Sequence, residues 1–229
     1  MEFIETGIAG LDEIIGGWPK GIMTLLVGET GVGKSTLLIT SARSIADRGV
    51  KVFYIDAEGN PVENVSSNIV VEHACQSMDS LEEALEKLSR LPSNILANSL
   101  IIVDSITYHY HALIRIARTD SERDELQSVL EKLVYKLHGL TVKNNTATVL
   151  TTWPTSFGEE ESDYVGGFAV KTYTRLQLKM GFTERDNVRS VKIVKWQDPS
   201  KYGLTATVKL GELALNIFKS VGGVIKREA

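Results

Sequence analysis

Apolar and polar positions along this chain switch between two spacings, and the switches mark its elements. Strand-length runs rich in apolar and β-branched residues occur at Ile22–Val27, Lys51–Asp56, Leu100–Asp104 and Thr146–Thr152. Such runs fit strands buried on both faces of a parallel sheet. Between them, apolar residues recur every three or four positions. Leu37 to Ala46 reads as one helix, with Gly49 as its C-cap. Ser80-Leu-Glu-Glu83 has the form of a capping box and places a second helix start there, with Leu81, Leu85, Leu88 and Leu91 on one face. Leu126, Leu130, Leu133, Leu137 and Leu140 predict a long amphipathic helix from Glu122 to Asn144. Arg175–Met180, Val188–Lys195 and Leu204–Leu210 read as strands of a β-meander, and Glu212–Ala229 fits either a helix or a hairpin. The alternation predicts an α/β fold: a mostly parallel central sheet, helices on both faces, and an antiparallel C-terminal extension. No linker or repeat interrupts it, so residues 1–229 are expected to form a single domain.

The first strand runs into Gly28-Glu-Thr-Gly-Val-Gly-Lys-Ser-Thr36, a complete G-x-x-x-x-G-K-[ST] phosphate-binding loop. Gly28, Gly31 and Gly33 free the backbone to turn its N–H groups into one concavity. Glu29, Thr30, Val32 and Thr36 complete the cradle, which opens onto a helix N-terminus that favours an anion. Lys34 adds a full charge at the β/γ bridge of a nucleoside triphosphate, and Ser35 a hydroxyl ligand for Mg²⁺. Asp104 ends a later apolar strand, where it would hold Mg²⁺ directly or through water. Asp56-Ala-Glu58 closes the strand between. Hydrolysis of a triphosphate needs a carboxylate to activate water, and Glu58 is the candidate base, with Lys34 as its catalytic partner. The cofactors expected are ATP and Mg²⁺.

Composition adds little beyond exclusions. The net charge is −4, so nucleic acid would need a local basic patch. Cys75 is the single cysteine, which excludes an intrachain disulfide and fits a reducing cytoplasm. The first residues do not form a signal peptide, and the longest apolar runs are too short to span a membrane.

Several stretches together resemble the RecA/RadA recombinase family: Thr6-Gly-x-x-x-Leu-Asp12, Gly16-Gly17, the phosphate loop, Tyr54-Ile-Asp-Ala-Glu-Gly59 and Ile102-Val-Asp-Ser-Ile106, then Gly166-Gly167 with Thr174-Arg-Leu-Gln-Leu178. Asp104-Ser-Ile-Thr107 followed by His109-Tyr110 is similar to short archaeal paralogues of the RadB type. The KaiC-like family is a poorer fit, because it tends to pair glutamates where this chain has Glu58 alone. The resemblance implies a RecA-like ATPase core with Glu58 as base, and two DNA-facing loops at about Thr107–Arg123 and Trp153–Val165. It also implies roles in recombination and repair beside a full-length RadA-type recombinase or other repair proteins, and a site that self-association would complete.

The departures from the family narrow the expectation. Only 27 residues precede the phosphate loop, so no N-terminal DNA-binding domain of the recombinase kind is expected. Phe3-Ile-Glu-Thr6 does not complete their polymerisation motif. Their Asn-Gln sensor is replaced by Thr152-Trp153; Thr152 could still bond a phosphate, and weak hydrolysis is expected. Asp198-Pro199 lies near the place of an aspartate that caps ATP on a neighbouring protomer. In the first loop, Tyr108, His109, Tyr110, His111, Arg115, Arg118 and Arg123 interleave rings and cations, as single-stranded DNA would require. Tyr110, Arg115, Arg118 and Arg123 are the candidate contacts, against a plain helix start with both tyrosines packed inward. Glu159, Glu160, Glu161 and Asp163 make the second loop acidic. Trp153 reads as a core residue or a base-stacking one. The function expected is a slow, Mg-dependent ATPase that binds single-stranded DNA and modulates recombination. The alternative is a KaiC-like regulatory ATPase without a DNA role.

Overall fold

The computed structural model describes residues 1–60, 66–155 and 164–210. In chain order the elements are β1 (Phe3–Ile4), α1 (Ala9–Ile15), β2 (Trp18–Pro19), β3 (Met23–Gly28), α2 (Lys34–Asp47), β4 (Lys51–Asp56), β5 (Ile69–His73), α3 (Met78–Ser89), α4 (Ser93–Leu96), β6 (Ser99–Asp104), α5 (Tyr108–Ile114), α6 (Asp120–Asn144), β7 (Ala147–Thr152), α7 (Gly167–Tyr173), β8 (Thr174–Phe182), β9 (Val188–Lys195) and β10 (Thr205–Lys209). The main sheet has the order β10-β9-β8-β3-β7-β6-β4-β5, with β1 and β2 as a separate small pair.

Strands β8, β3, β7, β6, β4 and β5 run parallel, and β9 and β10 close one edge antiparallel. The predicted meander is therefore present, and so is the predicted α/β class. Two apolar clusters cover the two faces of the sheet. One gathers Leu11, Ile15, Leu37, Leu38 and Ile45 from α1 and α2. The other gathers Leu81, Leu85 and Leu88 from α3 with Leu130, Leu133 and Leu137 from α6. Each leucine stripe seen in the sequence is thus a core face.

Three local expectations are corrected. Helix α3 starts three residues before the predicted box: Ser77 Oγ accepts from Ser80 N at 3.2 Å, and Ser80 Oγ accepts from Ser77 N at 3.1 Å. Serine at both positions hides this box in the sequence, because its second member is ordinarily Glu or Gln. The C-cap of α2 is Arg48; Gly49 follows it with φ 81°, the left-handed position just past a helix end. The stretch 107–123 is not a loop throughout, since α5 occupies its first half and α6 begins at Asp120. Glu212–Ala229 lies outside the described residues.

Parallel register lines up the strand ends. Gly28 pairs with Met180, Val27 with Thr152, Asp56 with both Asp104 and His73. The carboxyl ends of β3, β7, β6, β4 and β5 therefore share one edge of the sheet, where open α/β sheets bind their ligands.

Candidate nucleotide site

The phosphate loop leaves β3 at that edge and enters α2 at Lys34. Its shape depends on two glycines. A Cβ on Gly28 would stand 2.8 Å from Val32 Cγ1 and 2.9 Å from the Met180 carbonyl. Gly33 caps α2 with φ 101°, and a Cβ there would meet Leu210 Cδ1 at 2.4 Å. Both positions exclude a side chain, so the backbone N–H groups keep the concavity. Ser35 and Thr36 sit half-buried in the first turn of α2, while Glu29, Thr30 and Gly31 are exposed at the loop's tip.

Lys34 is buried, and its ammonium donates to the carbonyls of Gly28 at 2.8 Å and Glu29 at 3.1 Å. Burial lowers its pKa, with the charges of Glu58 and Asp104 opposing. A buried cation tied to two carbonyls of its own loop fits a position that an anion would occupy.

Asp104 is fully buried at the end of β6. Its Oδ2 accepts from the Tyr54 hydroxyl at 2.6 Å and from Asn60 Nδ2 at 3.4 Å; its Oδ1 accepts from Thr151 Oγ1 at 2.6 Å. Burial, then the Asp104 charge, holds the Tyr54 phenol well above its usual pKa. Tyr54 therefore stays a donor at all ordinary pH.

Asp56 organises the turn that carries Glu58. Its Oδ1 accepts from the backbone N–H groups of Glu58, Gly59 and Asn60, each at 3.1 Å. This is an aspartate folding the chain that follows it, as short polar side chains do in turns. Glu58 is thereby aimed back toward Lys34 and Asp104. Its Oε1 is buried and has no hydrogen-bond partner among the described residues. Burial, and then the charge of Asp104, raise its pKa to about 7, while Lys34 and the nearby Ser105 hydroxyl pull the other way. A carboxylate with an unused buried oxygen and a near-neutral pKa can take a proton from water. The donor set is oxygen-based on the metal side, Ser35 and Asp104, beside a polyanion cradle; that chemistry fits Mg²⁺ on a triphosphate.

Thr152 does not reach for a phosphate. Its hydroxyl donates to the Val165 carbonyl at 2.9 Å and pairs with Thr107 Oγ1 at 2.7 Å, fully buried. The expectation that it could bond a phosphate is corrected by these two inward bonds. Trp153, the next residue, is half-buried and not in the core. Trp153 stands just past the last residue of β7, beyond the buried edge of the sheet. Its ring lies 5.8 Å from Lys34 Nζ and contacts Tyr108 and His111, with centroid separations of 6.0 and 5.4 Å. Trp153, Tyr108 and His111 line an open cleft of about 720 Å³, together with Glu29, Thr30 and Arg115. The acidic segment 159–163 is outside the described residues, but its stem is held: Val165 N donates to the Trp153 carbonyl at 2.9 Å.

The other candidate DNA contacts separate. Arg115 lines the cleft. Tyr110 packs against α6, its hydroxyl donating to Gln127 Oε1 at 2.8 Å. Arg123 donates to the Ala117 carbonyl at 3.1 Å, and Arg118 is exposed beyond the end of α5. Tyr108 and His111 face the cleft where Tyr110 does not, because helical spacing turns Tyr110 inward. Asp198 spends its Oδ1 on Ser200 N and Oγ within its own turn.

Comparison with known proteins agrees with this geometry. A family model described as an AAA domain matches residues 1–142. The DNA repair and recombination protein RadB of Halobacterium salinarum is 27% identical over 197 residues, covering 77% of this chain and 80% of that protein. RadB of Thermoplasma acidophilum is 26% identical over 155 residues, covering 65% and 66%. Protein RecA of a Synechococcus strain is 26% identical over 226 residues; it covers 93% of this chain, which spans only 56% of RecA. A crystal structure of the RadB recombinase superposes with a TM-score of 0.70 at 20% identity, over 90% of this chain and 96% of that one. The chain belongs to the AAA-domain family of phosphate-loop proteins. The chain is also similar over most of its length to RadB proteins of the RecA/RadA superfamily, and it has the RecA-like fold. Among the described residues no helix is long and apolar enough to cross a membrane.

Proposed function

We propose that this protein is a Mg-dependent ATPase of DNA repair and recombination, which hydrolyses ATP slowly, binds single-stranded DNA and modulates a full-length recombinase. The observation that carries the proposal is Glu58: a half-buried carboxylate with a pKa near 7, its Oε1 buried and without a hydrogen-bond partner among the described residues, within reach of the charges of Lys34 and Asp104.

Bound Mg·ATP supplies the electrophilic γ-phosphoryl group and its counter-charge. The phosphate loop would hold the triphosphate through backbone N–H groups, and Lys34 would exchange its two carbonyl partners for phosphate oxygens. Ser35 and Asp104 would hold the metal, with Tyr54 and Thr151 fixing the Asp104 carboxylate. Glu58 Oε1 takes the proton of the attacking water. Slow turnover follows from the last residue of β7: the Thr152 hydroxyl is committed to Val165 and Thr107, so it offers the γ-phosphate no bond. The ring-and-cation lining of the cleft beside Glu29 and Thr30 supports a single-stranded partner, with Trp153 and Tyr108 for bases and Arg115 for phosphate.

The RadB and RecA relatives support the recombination role through their described functions. The test is ATP hydrolysis by the wild type, Lys34→Ala and Glu58→Gln. Hydrolysis is expected to disappear in Lys34→Ala and to fall by about 10²–10⁴-fold in Glu58→Gln, with ATP binding kept in the latter. Undiminished turnover in either variant would overturn the site. Absence of DNA retention at low salt would leave the regulatory ATPase reading instead.

A further inference from the structure

The carboxyl end of β5 carries a second group of ligand-forming side chains, outside the triphosphate cradle. The parallel ladder sets Asp56 directly beside His73. His73 Nδ1 and Asp56 Oδ2 are 3.1 Å apart. Past the strand end, Ala74 is pinned on both sides: its N–H donates to the Asp56 carbonyl at 2.7 Å, and its carbonyl meets His109 Nε2 at 2.7 Å. Ala74 is fully buried, so His73 and Cys75, one on each side of it, present to the same outer face. One ligand atom from each of Asp56, His73 and Cys75 lies within 4.8 Å of the others.

We infer that Asp56, His73 and Cys75 form a site for one borderline-soft divalent cation of the Zn²⁺ class, with water as fourth ligand. The donor set is one oxygen, one imidazole nitrogen and one sulfur, which suits Zn²⁺ far better than Mg²⁺. At usual bond lengths, a cation bound to two atoms 3.1 Å apart subtends roughly 95° between them, which is within reach of a distorted tetrahedron. Thiolate and imidazole ligands of a tetrahedral ion lie roughly 3.6 Å apart, so Cys75 needs only a side-chain rotation to complete the set. An ion would approach from the His73 side, whose side chain is 52% exposed, and would reach the fully buried Asp56 carboxylate beneath it. Asp56 Oδ1 remains free of the ion and keeps its three backbone bonds to the turn of Glu58. Those bonds orient the Asp56 carboxylate, the outer-shell support that metal-binding carboxylates ordinarily have. Occupancy ties β5 to the turn carrying the proposed base, and gives the ATP centre a lever that needs neither nucleotide nor DNA.

The experiment uses the full chain, metal-free and without nucleotide, under a non-thiol reductant. Zn²⁺ is titrated against a chromophoric chelator, and Co²⁺ is added in parallel and followed by absorption. One ion per chain is expected, together with a thiolate-to-cobalt charge-transfer band. Cys75 is the only cysteine, so that band can come from nowhere else. Cys75→Ser should abolish the band, and His73→Ala should weaken affinity by at least the roughly 10–100-fold that loss of an outer-shell partner costs. Thermal melting of the metal-free variants checks that both fold; Asp56→Ala is avoided because it would release the Glu58 turn. Absence of the band, one ion per two chains, or unchanged affinity in both variants would overturn the site.

Discussion

The Lys34 ammonium lies 5.8 Å from the centre of the Trp153 ring, so the cation of the phosphate loop touches the first residue of the second loop. Lys34 is held by the carbonyls of Gly28 and Glu29. Phosphate oxygens would draw it away, and the ring would lose its cation and change its packing on Tyr108 and His111. ATP is therefore expected to alter tryptophan emission. The chain has three tryptophans, and Trp18 and Trp196 are buried, so Trp153→Phe should remove the response. Lys34→Ala should remove it too. A response that survives Trp153→Phe would place the nucleotide-sensitive ring elsewhere.

Glu58 gives the protein a definite pH dependence. Its folded pKa is raised from 4.5 to about 7, so between those values the folded state holds a proton that the unfolded chain has released. Stability therefore falls as pH rises from 4.5 to 7. Glu58→Gln removes that penalty. It is expected to stabilise the nucleotide-free protein at pH 8 by about 1 kcal/mol after allowance for solvent screening, and not at pH 4.5. Paired thermal melts at the two pH values check this. In hydrolysis, kcat/KM should rise with pH and level off above about 7, because the base acts deprotonated.

Tyr54→Phe tests the support of Asp104. The substitution keeps the ring and leaves Asp104 Oδ2 without its 2.6 Å donor in a fully buried place. A loss of about 1–3 kcal/mol is expected, which denaturant unfolding measures. No loss would mean that Asn60 or water replaces the phenol.

The cleft and the α6 face separate by charge. Arg115→Ala is expected to weaken single-stranded DNA binding and to reduce the salt slope by about one. Arg123→Ala should change it little, because that guanidinium is occupied by the Ala117 carbonyl. Equal effects of the two substitutions would move the contact off the cleft.

Much of this was legible in the sequence because it is local. The phosphate loop is contiguous, Asp104 ends an unbroken apolar strand, and Lys51–Asp56 and Val188–Lys195 have the predicted bounds. Strand β5 is not legible in the sequence: Ile69-Val-Val-Glu-His73 is short and half-exposed at the sheet edge, so its pattern is weak. The partners of Thr152 were not legible either, since Thr107 and Val165 come to it only through the tertiary fold. The same holds for Asp104, whose donors Tyr54 and Thr151 stand on neighbouring strands. For Trp153 the sequence leaves core and base-stacking positions open; its place just past the end of β7, beside Tyr108 and His111, comes only from the tertiary fold.

The most direct measurement is single-stranded DNA affinity of Glu58→Gln, at one fixed salt concentration, with and without Mg·ATP. This variant is expected to hold ATP without consuming it. Tighter DNA binding with ATP is expected, because nucleotide contact at Lys34 repositions Trp153 in the DNA-facing cleft. Equal affinity in both conditions would contradict a nucleotide-controlled DNA-binding ATPase.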